Sequence, residues 1–195
     1  MKLSEPLRGA CVTLRTALEE DAEFMLELRM DPRNGRFLSP THPDPEQQRA
    51  WIRGRLAAED DYACVIEDAA GQRIGTIALY HIDRVAGTFE WGRWILAPGA
   101  PALAALESAM LIYRFAFFDL GLKRAEFGVM GENTRVISFH RGMGARPVAE
   151  TDVGVHFHFL PEDFAAACRK YGRRLSPRIC AGVDGVPEPN PGRPS

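Results

Sequence analysis

The spacing of apolar residues changes repeatedly along the chain, and each change marks an element. Residues 11–15, CVTLR, alternate and predict a short strand. In TALEEDAEFMLELRMD, residues 16–31, Phe24 and Leu28 belong to an apolar stripe at helical period, and Thr16 and Glu19 stand at capping-box spacing. A helix is expected there. PRNGRFLSPTHP, residues 32–43, holds too much Pro, Gly and Asn for regular structure and reads as a loop. A second helix starts at Asp44, with Pro45 at its first position and Gln47 three residues past the cap. YACVIED, RIGTIALYHID and AGTFEWGRWIL are β-rich runs joined by the short links AAGQ and RVAG, which predicts an antiparallel meander. A long apolar helix follows from about Ala102 to Phe118 with a stop at Gly121, then the strand RAEFGVM and a short helix TRVISFHR ended by Gly142. A strand pair around RPVAE and VGVHFHFL leads into the helix PEDFAAACRKYG.

The resulting order, β-α-α-β-β-β-α-β-α-β-β, is that of an α/β (α+β mixed) chain with a mixed, mostly antiparallel sheet and helices on both faces. Residues 1–175 read as one domain, and the Pro- and Gly-rich residues 176–195 as a tail. With 195 residues and 46% hydrophobic content, the chain suffices for one buried core. A net charge of −2 argues against nucleic-acid binding, which needs many cations to displace counterions. The basic run RKYGRR reads as a solvated helix end. Cys11, Cys64, Cys168 and Cys180 lack CxxC spacing and are expected as reduced thiols of a cytoplasmic protein, with neither a disulfide framework nor a metal site. The N-terminus lacks an apolar signal region, and Glu107, Arg114 and Asp119 interrupt the longest apolar helix, so no membrane span is expected.

The junction WILAPGAPALAALESAMLIYRFAF, residues 94–117, is where chemistry is expected. A strand, a loop of small residues and a helix start offer N–H groups to an anion. The loop has a single glycine, Gly99, and Pro98 and Pro101 each lack a donor, which also fits an ordinary junction with proline at a helix start.

FEWGRWIL, LESAMLIYRFAFFDLGLKRAEFGVM and above all NTRVISFHRGMG resemble the core of the GNAT superfamily of acetyl-CoA-dependent N-acetyltransferases. Within it they are most similar to the branch with ribosomal-protein N-terminal acetyltransferases and amino-sugar N-acetyltransferases. The similarity runs from about Val12 to Val148, with Asn133, His140, Gly142 and Gly144 at its most specific spacing. The resemblance implies a sheet splayed between its fourth and fifth strands, with the pantetheine arm of acetyl-CoA in the gap. Trp94, Ile95 and Leu96 would then hold the pantetheine, the amides of Gly99, Ala100, Ala102, Leu103 and Ala104 the pyrophosphate, and Asn133 the CoA arm while capping its own helix. The loop departs from the family's basic, glycine-rich pattern, and Ala145 stands where an aromatic residue is usual.

Acetyl transfer needs a neutral amine and a proton for the departing thiolate. Glu90, between Phe89 and Trp91, is the candidate base, its pKa raised by an apolar setting. His140 takes the place of the tyrosine that protonates the thiolate in the family, with a pKa near 6.5 or raised by the helix end. The loop of Arg33, Arg36 and His42 overhangs the acceptor cleft in this fold, and Trp91 is the aromatic residue expected to line it. His156 and His158 read as surface or packing residues, and His81, at the end of its strand, reads the same way or takes a place in the cleft. The chain thus reads as an N-acetyltransferase, monomeric or homodimeric, acting on a primary amine. The cationic loop favours an anionic small molecule such as an amino-sugar nucleotide. A protein N-terminus remains an alternative acceptor, and the glycine-poor loop leaves open a non-catalytic acyl-CoA sensor.

Overall fold

A computed structural model describes residues 1–35 and 37–183. Eight strands form one sheet in the order β1-β2-β3-β4-β5-β6-β8-β7, where β1 is Leu7–Arg8, β2 Val12–Thr16, β3 Tyr62–Asp68, β4 Arg73–Asp83, β5 Thr88–Leu96, β6 Arg124–Met130, β7 Arg146–Glu150 and β8 Gly154–Phe159. The first five pair antiparallel, as the short links between the meander runs require. Between β5 and β6 the pairing is parallel and covers only Thr88 with Arg124 and Phe89 with Ala125. Beyond Phe89 the two strands part, so the sheet opens at its centre.

Two helical layers cover the sheet. On one face α1 (Ala22–Met30) and α3 (Pro45–Ala57) bury Met25, Ile52 and Val65 in a small cluster. On the other, α4 (Ala104–Arg114) carries Met110, Ile112 and Tyr113 into the main core with α5 (Thr134–Met143) and α6 (Pro161–Tyr171). Burial of these apolar side chains, each contributing about 1.5–3 kcal/mol, sets the layering. No helix among the described residues is long and apolar enough to cross a membrane.

Several boundaries differ from the sequence reading, each for a local reason. Thr16 does not cap the first helix: it ends β2 and accepts from Leu3 N–H, while Asp21 accepts from Leu18 N–H at a 3-10 turn before α1. The 32–43 loop contains a one-turn helix, α2 (Pro32–Gly35). Asp44 caps α3 as expected, accepting from Glu46 N–H. The long helix starts at Ala104, two residues late, because Ala104 N–H is held by Pro101 O in a turn; its last five residues widen into a π-turn. α5 runs through Gly142 and stops at Gly144, whose φ of 98° is the left-handed cap that a side chain would oppose.

The expected tail begins as packed structure. Pro177–Cys180 forms α7, with Ile179 and Cys180 buried; residues 184–195 lie outside the described residues. The expectation of four reduced thiols is corrected here. Cys168 on α6 and Cys180 on α7 form a disulfide, their Cα atoms 5.6 Å apart where the two helices meet; Cys11 and Cys64 are free.

Candidate active site

Two irregularities in the β4–β5 ladder bracket Glu90. The register shifts between Tyr80 and Asp83 and again between Thr76 and Ala78, and at these bulges His81 (φ 50°) and Arg93 (φ 48°) take left-handed backbone. Such conformations cost a non-glycine residue on the order of 1–3 kcal/mol, so the surroundings must hold them in place. Their effect is to turn two side chains toward one another's neighbours. His81 Nδ1 comes to 3.0 Å from Glu90 Oε2, and Tyr80 Oη donates to Glu90 Oε1 at 2.9 Å. Arg93 lies over the Tyr80 ring, 4.2 Å from its centroid. Gly92 makes room: a Cβ there would meet Tyr80 Oη at 2.7 Å. Glu90, 31% exposed, therefore sits among polar partners and not in the apolar setting expected of it. Burial, then the Glu90 charge, pushes the Tyr80 phenol up, so it stays a donor.

The same face of the sheet forms the floor of a cavity of about 390 Å³ beneath α1 and α3. Ala78, opposite Gly92, belongs to its floor, and Arg29, His42, Gln48, Trp51 and Arg93 reach it from the walls. Arg93 also pairs with buried Asp61 at 2.7 Å. Arg29, in the last turn of α1, donates to Thr41 Oγ1 at 2.6 Å and Ser39 O at 3.0 Å. The Gln48 side chain, 8% exposed, has only the Met25 sulfur at 3.9 Å as partner among the described residues.

His140 occupies the opposite face. It is 4% exposed in a box of Trp91, Phe127, Phe139 and Phe157, with ring centroids 4.4–5.9 Å away. Burial among these rings pushes its pKa down to about 4, the reverse of the ordinary or raised value expected from the helix end. The α5 terminus does not offset the loss of hydration. His140 Nδ1 and Trp91 Nε1 are both buried without a hydrogen-bond partner among the described residues.

Across the gap left by β6, the loop after β5 presents the start of α4. Gly99, Ala102 and Leu103 N–H groups have no intramolecular acceptor among the described residues, whereas Ala100 N–H is held by Ala97 O and Ala104 N–H by Pro101 O. Three of the five amides expected to meet an anion are thus open. Trp94 is half-buried, its indole N–H on Ser108 Oγ at 3.2 Å, while Ile95 and Leu96 pair with Thr76 and Gly75 on the closed side of β5. Asn133 caps α5, accepting from Val136 N–H at 3.4 Å. Below the loop, Glu107 is 1% exposed in the first turn of α4 and accepts from the N–H groups of Ala10, Cys11, Val12 and Ser176. Burial pushes its pKa up, but the backbone donors outweigh it and hold the carboxyl below its usual value.

The expected acceptor residues separate. His42 lines the cavity. Arg33 is exposed and paired with Asp31 at 2.5 Å, away from the cavity, and Arg36 lies outside the described residues. Trp91 is corrected: strand alternation sends it into the aromatic box, and Trp51 is the indole that lines the cavity. Tyr80, Arg29, Arg93 and Glu107 had no assigned role in the sequence reading, and His81 takes the cleft position rather than the surface or packing one. For Arg93 a sign was available, since Gly92 inside a strand marks a bulge. His158 lies 3.9 Å from Glu126, and no cluster of three or more potential metal ligands occurs among the described residues.

Known proteins share this architecture. The family model described as an acetyltransferase (GNAT) domain matches residues 12–146. Among solved structures, apo FdhC, a nucleotide-linked sugar GNAT, is 32% identical; 88% of this chain and 98% of that one are covered, with a TM-score of 0.79. A GCN5-related N-acetyltransferase from Brucella melitensis is 20% identical over 88% of this chain and 85% of its own, with a TM-score of 0.74. Spermidine N-acetyltransferase from Vibrio cholerae, in complex with CoA and spermine, is 18% identical over 78% of this chain and 97% of its own, with a TM-score of 0.70. These last two carry the fold alone. No curated protein matches the chain.

Proposed function

Since the chain belongs to the GNAT acetyltransferase family, we propose that it transfers acetyl from acetyl-CoA to the primary amine of a small molecule such as an amino-sugar nucleotide. The observation that carries the reading is the opening of the sheet after Phe89, which leaves one edge of β5 unpaired beside a helix start with open N–H groups. Pantetheine would run along Trp94, Ile95 and Leu96. Gly99, Ala102 and Leu103 would donate to the pyrophosphate, aided by the α4 dipole. These groups fit a phosphate-bearing cosubstrate, with fewer donors than a glycine-rich loop would supply.

Glu90 takes the proton from the amine, directly or through water, while Tyr80 and His81 fix its carboxylate on the cavity side. His140 faces the gap from the aromatic side as a neutral imidazole near pH 7, so it acts at most by donating a hydrogen bond to the departing sulfur. A CoA thiol resembles free cysteine, with a pKa of roughly 8.5, and its thiolate leaves without a strong acid. The similarity to a nucleotide-linked sugar GNAT supports the acceptor class.

The test is release of free thiol from acetyl-CoA against a panel of amines, with thermal stabilisation by CoA measured beside it. Release with amino-sugar nucleotides is expected. Stabilisation without release on any amine would turn the reading toward an acyl-CoA sensor, as the loss of donors at Pro98 and Pro101 would allow.

A further inference from the structure

Among the described residues, the cavity beneath α1 and α3 is lined by cations and by no acid. Arg29 is half-buried there, and its hydrogen bonds go to Thr41 and Ser39, both neutral; no carboxylate pairs with it among the described residues. Its Nη1 has no acceptor among the described residues. Arg93 enters from the β5 bulge with one Nη1 bond to Asp61, leaving Nε and Nη2 without acceptors among the described residues. The two guanidinium groups are close enough that Arg93 adds to the burial that lowers the Arg29 pKa. Among the described residues no Asp or Glu lines the cavity, and Gln48, whose side chain there contacts only the Met25 sulfur, opens on it. A half-buried cation without a counter-charge, beside a second one whose donors are only partly used, is a costly arrangement for an empty cavity. It becomes favourable when an anion enters. Paired planar forks suit the oxygens of a phosphate, and 390 Å³ exceeds what a single carboxylate would need.

We infer that Arg29 and Arg93 hold the anionic part of the acceptor, a phosphate or diphosphate ester linked to the amine-bearing group, and so select anionic amines over polyamines. The inference rests on the acetyl-transfer reading only for the position of the amine, beside Glu90. Arg93 is turned into the cavity by its strained backbone, and Arg29 is held by the Ser39–Thr41 segment, so the subsite is built before the ligand arrives.

The test uses the whole protein and measures binding of uridine 5′-diphosphate and thymidine 5′-diphosphate, with uridine, thymidine and spermidine as controls. CoA is present at saturation so that the α4 start is occupied. The diphosphates should bind and the nucleosides and spermidine should not. Arg29→Gln should weaken diphosphate binding about tenfold or more, while the thermal shift produced by CoA, which also reports folding, stays as in the wild type. If Arg29→Gln does not fold, Arg29→Lys keeps the charge without the fork and should weaken binding several-fold. Wild-type affinity in whichever variant folds, diphosphate binding that CoA abolishes, or binding of spermidine alone would overturn the subsite. Absence of any CoA shift would instead defeat the acetyl-transfer reading, and the Arg29→Gln comparison repeated without CoA would still decide the subsite.

Discussion

Glu90 and Trp91 are covalent neighbours whose side chains leave β5 in opposite directions, and the two sides of that strand are built on different physical terms. On the Glu90 side, a tyrosine hydroxyl, a histidine ring and an arginine over the tyrosine ring surround a carboxylate that keeps access to water. Order there comes from directed polar contacts, held by two bulges with left-handed backbone. On the Trp91 side, aromatic rings exclude water and leave His140 Nδ1 without a hydrogen-bond partner among the described residues. One side keeps charge in place, and the other suppresses it. Alternation separates the two environments within one residue, which suits the proposed transfer: a proton acceptor on one side of the strand and a water-poor region on the other.

The largest effect should come from the polar side. Glu90→Gln keeps the shape and removes the charge, and kcat should fall by about 10² or more. Activity within a few-fold of wild type in a folded variant would mean that the polar cluster is structural only.

A second prediction addresses the aromatic side through stability. The native ring is neutral down to about pH 4, whereas the unfolded ring takes up a proton below its ordinary value of about 6.5. The depressed native pKa means that this contribution is complete above the unfolded pKa and is lost as pH falls toward the native one. Between pH 7 and pH 5 the loss should be about 1.8 kcal/mol, roughly 20-fold in the folding equilibrium. Urea unfolding at the two values of pH should show it in wild type, and His140→Phe should lack it. Equal losses in both proteins would place the ring in water.

The same variant sharpens the comparison kinetically. With a neutral imidazole, His140→Phe should lower kcat by about tenfold at most, at the foot of the general-acid range. The wild-type profile should have no alkaline limb near pH 6.5, and a limb there that moves upward in His140→Tyr would restore a protonated acid. The smallest effect concerns neither side of β5 but the helix start beyond it. Ala102→Pro removes one of three open donors and should raise KM for acetyl-CoA about threefold to tenfold, more than it lowers kcat. An unchanged KM would put the phosphates elsewhere.

Much of the frame was legible because period and punctuation encode it. The meander, the RAEFGVM strand and the Asp44–Pro45 helix start lie where alternation and capping placed them. The parting of β5 from β6 followed from resemblance, since no local pattern records how far two parallel strands stay paired. Single-residue features were less legible. Glu107 looked like an interruption in an apolar helix because its backbone donors come from remote segments. Cys168 and Cys180 gave no spacing signal, being brought together only by packing of α6 on α7. His140 misled for the same reason: the helix end is visible in sequence, while the box that desolvates it is assembled from β5, β6, β8 and α5.

The Glu107 carboxylate also has a temporal meaning. Its donors lie 95–97 positions before it and 69 after it. Contacts of such separation must meet the loop-closure cost before they stabilise, and so tend to form late in folding. During synthesis α4 emerges and coils long before Ser176 does, with its acid still hydrated. The carboxylate gains its full set of donors only when Ser176 has left the ribosome. A nascent chain cut short of that residue would hold a nearly native sheet around a carboxylate one donor short.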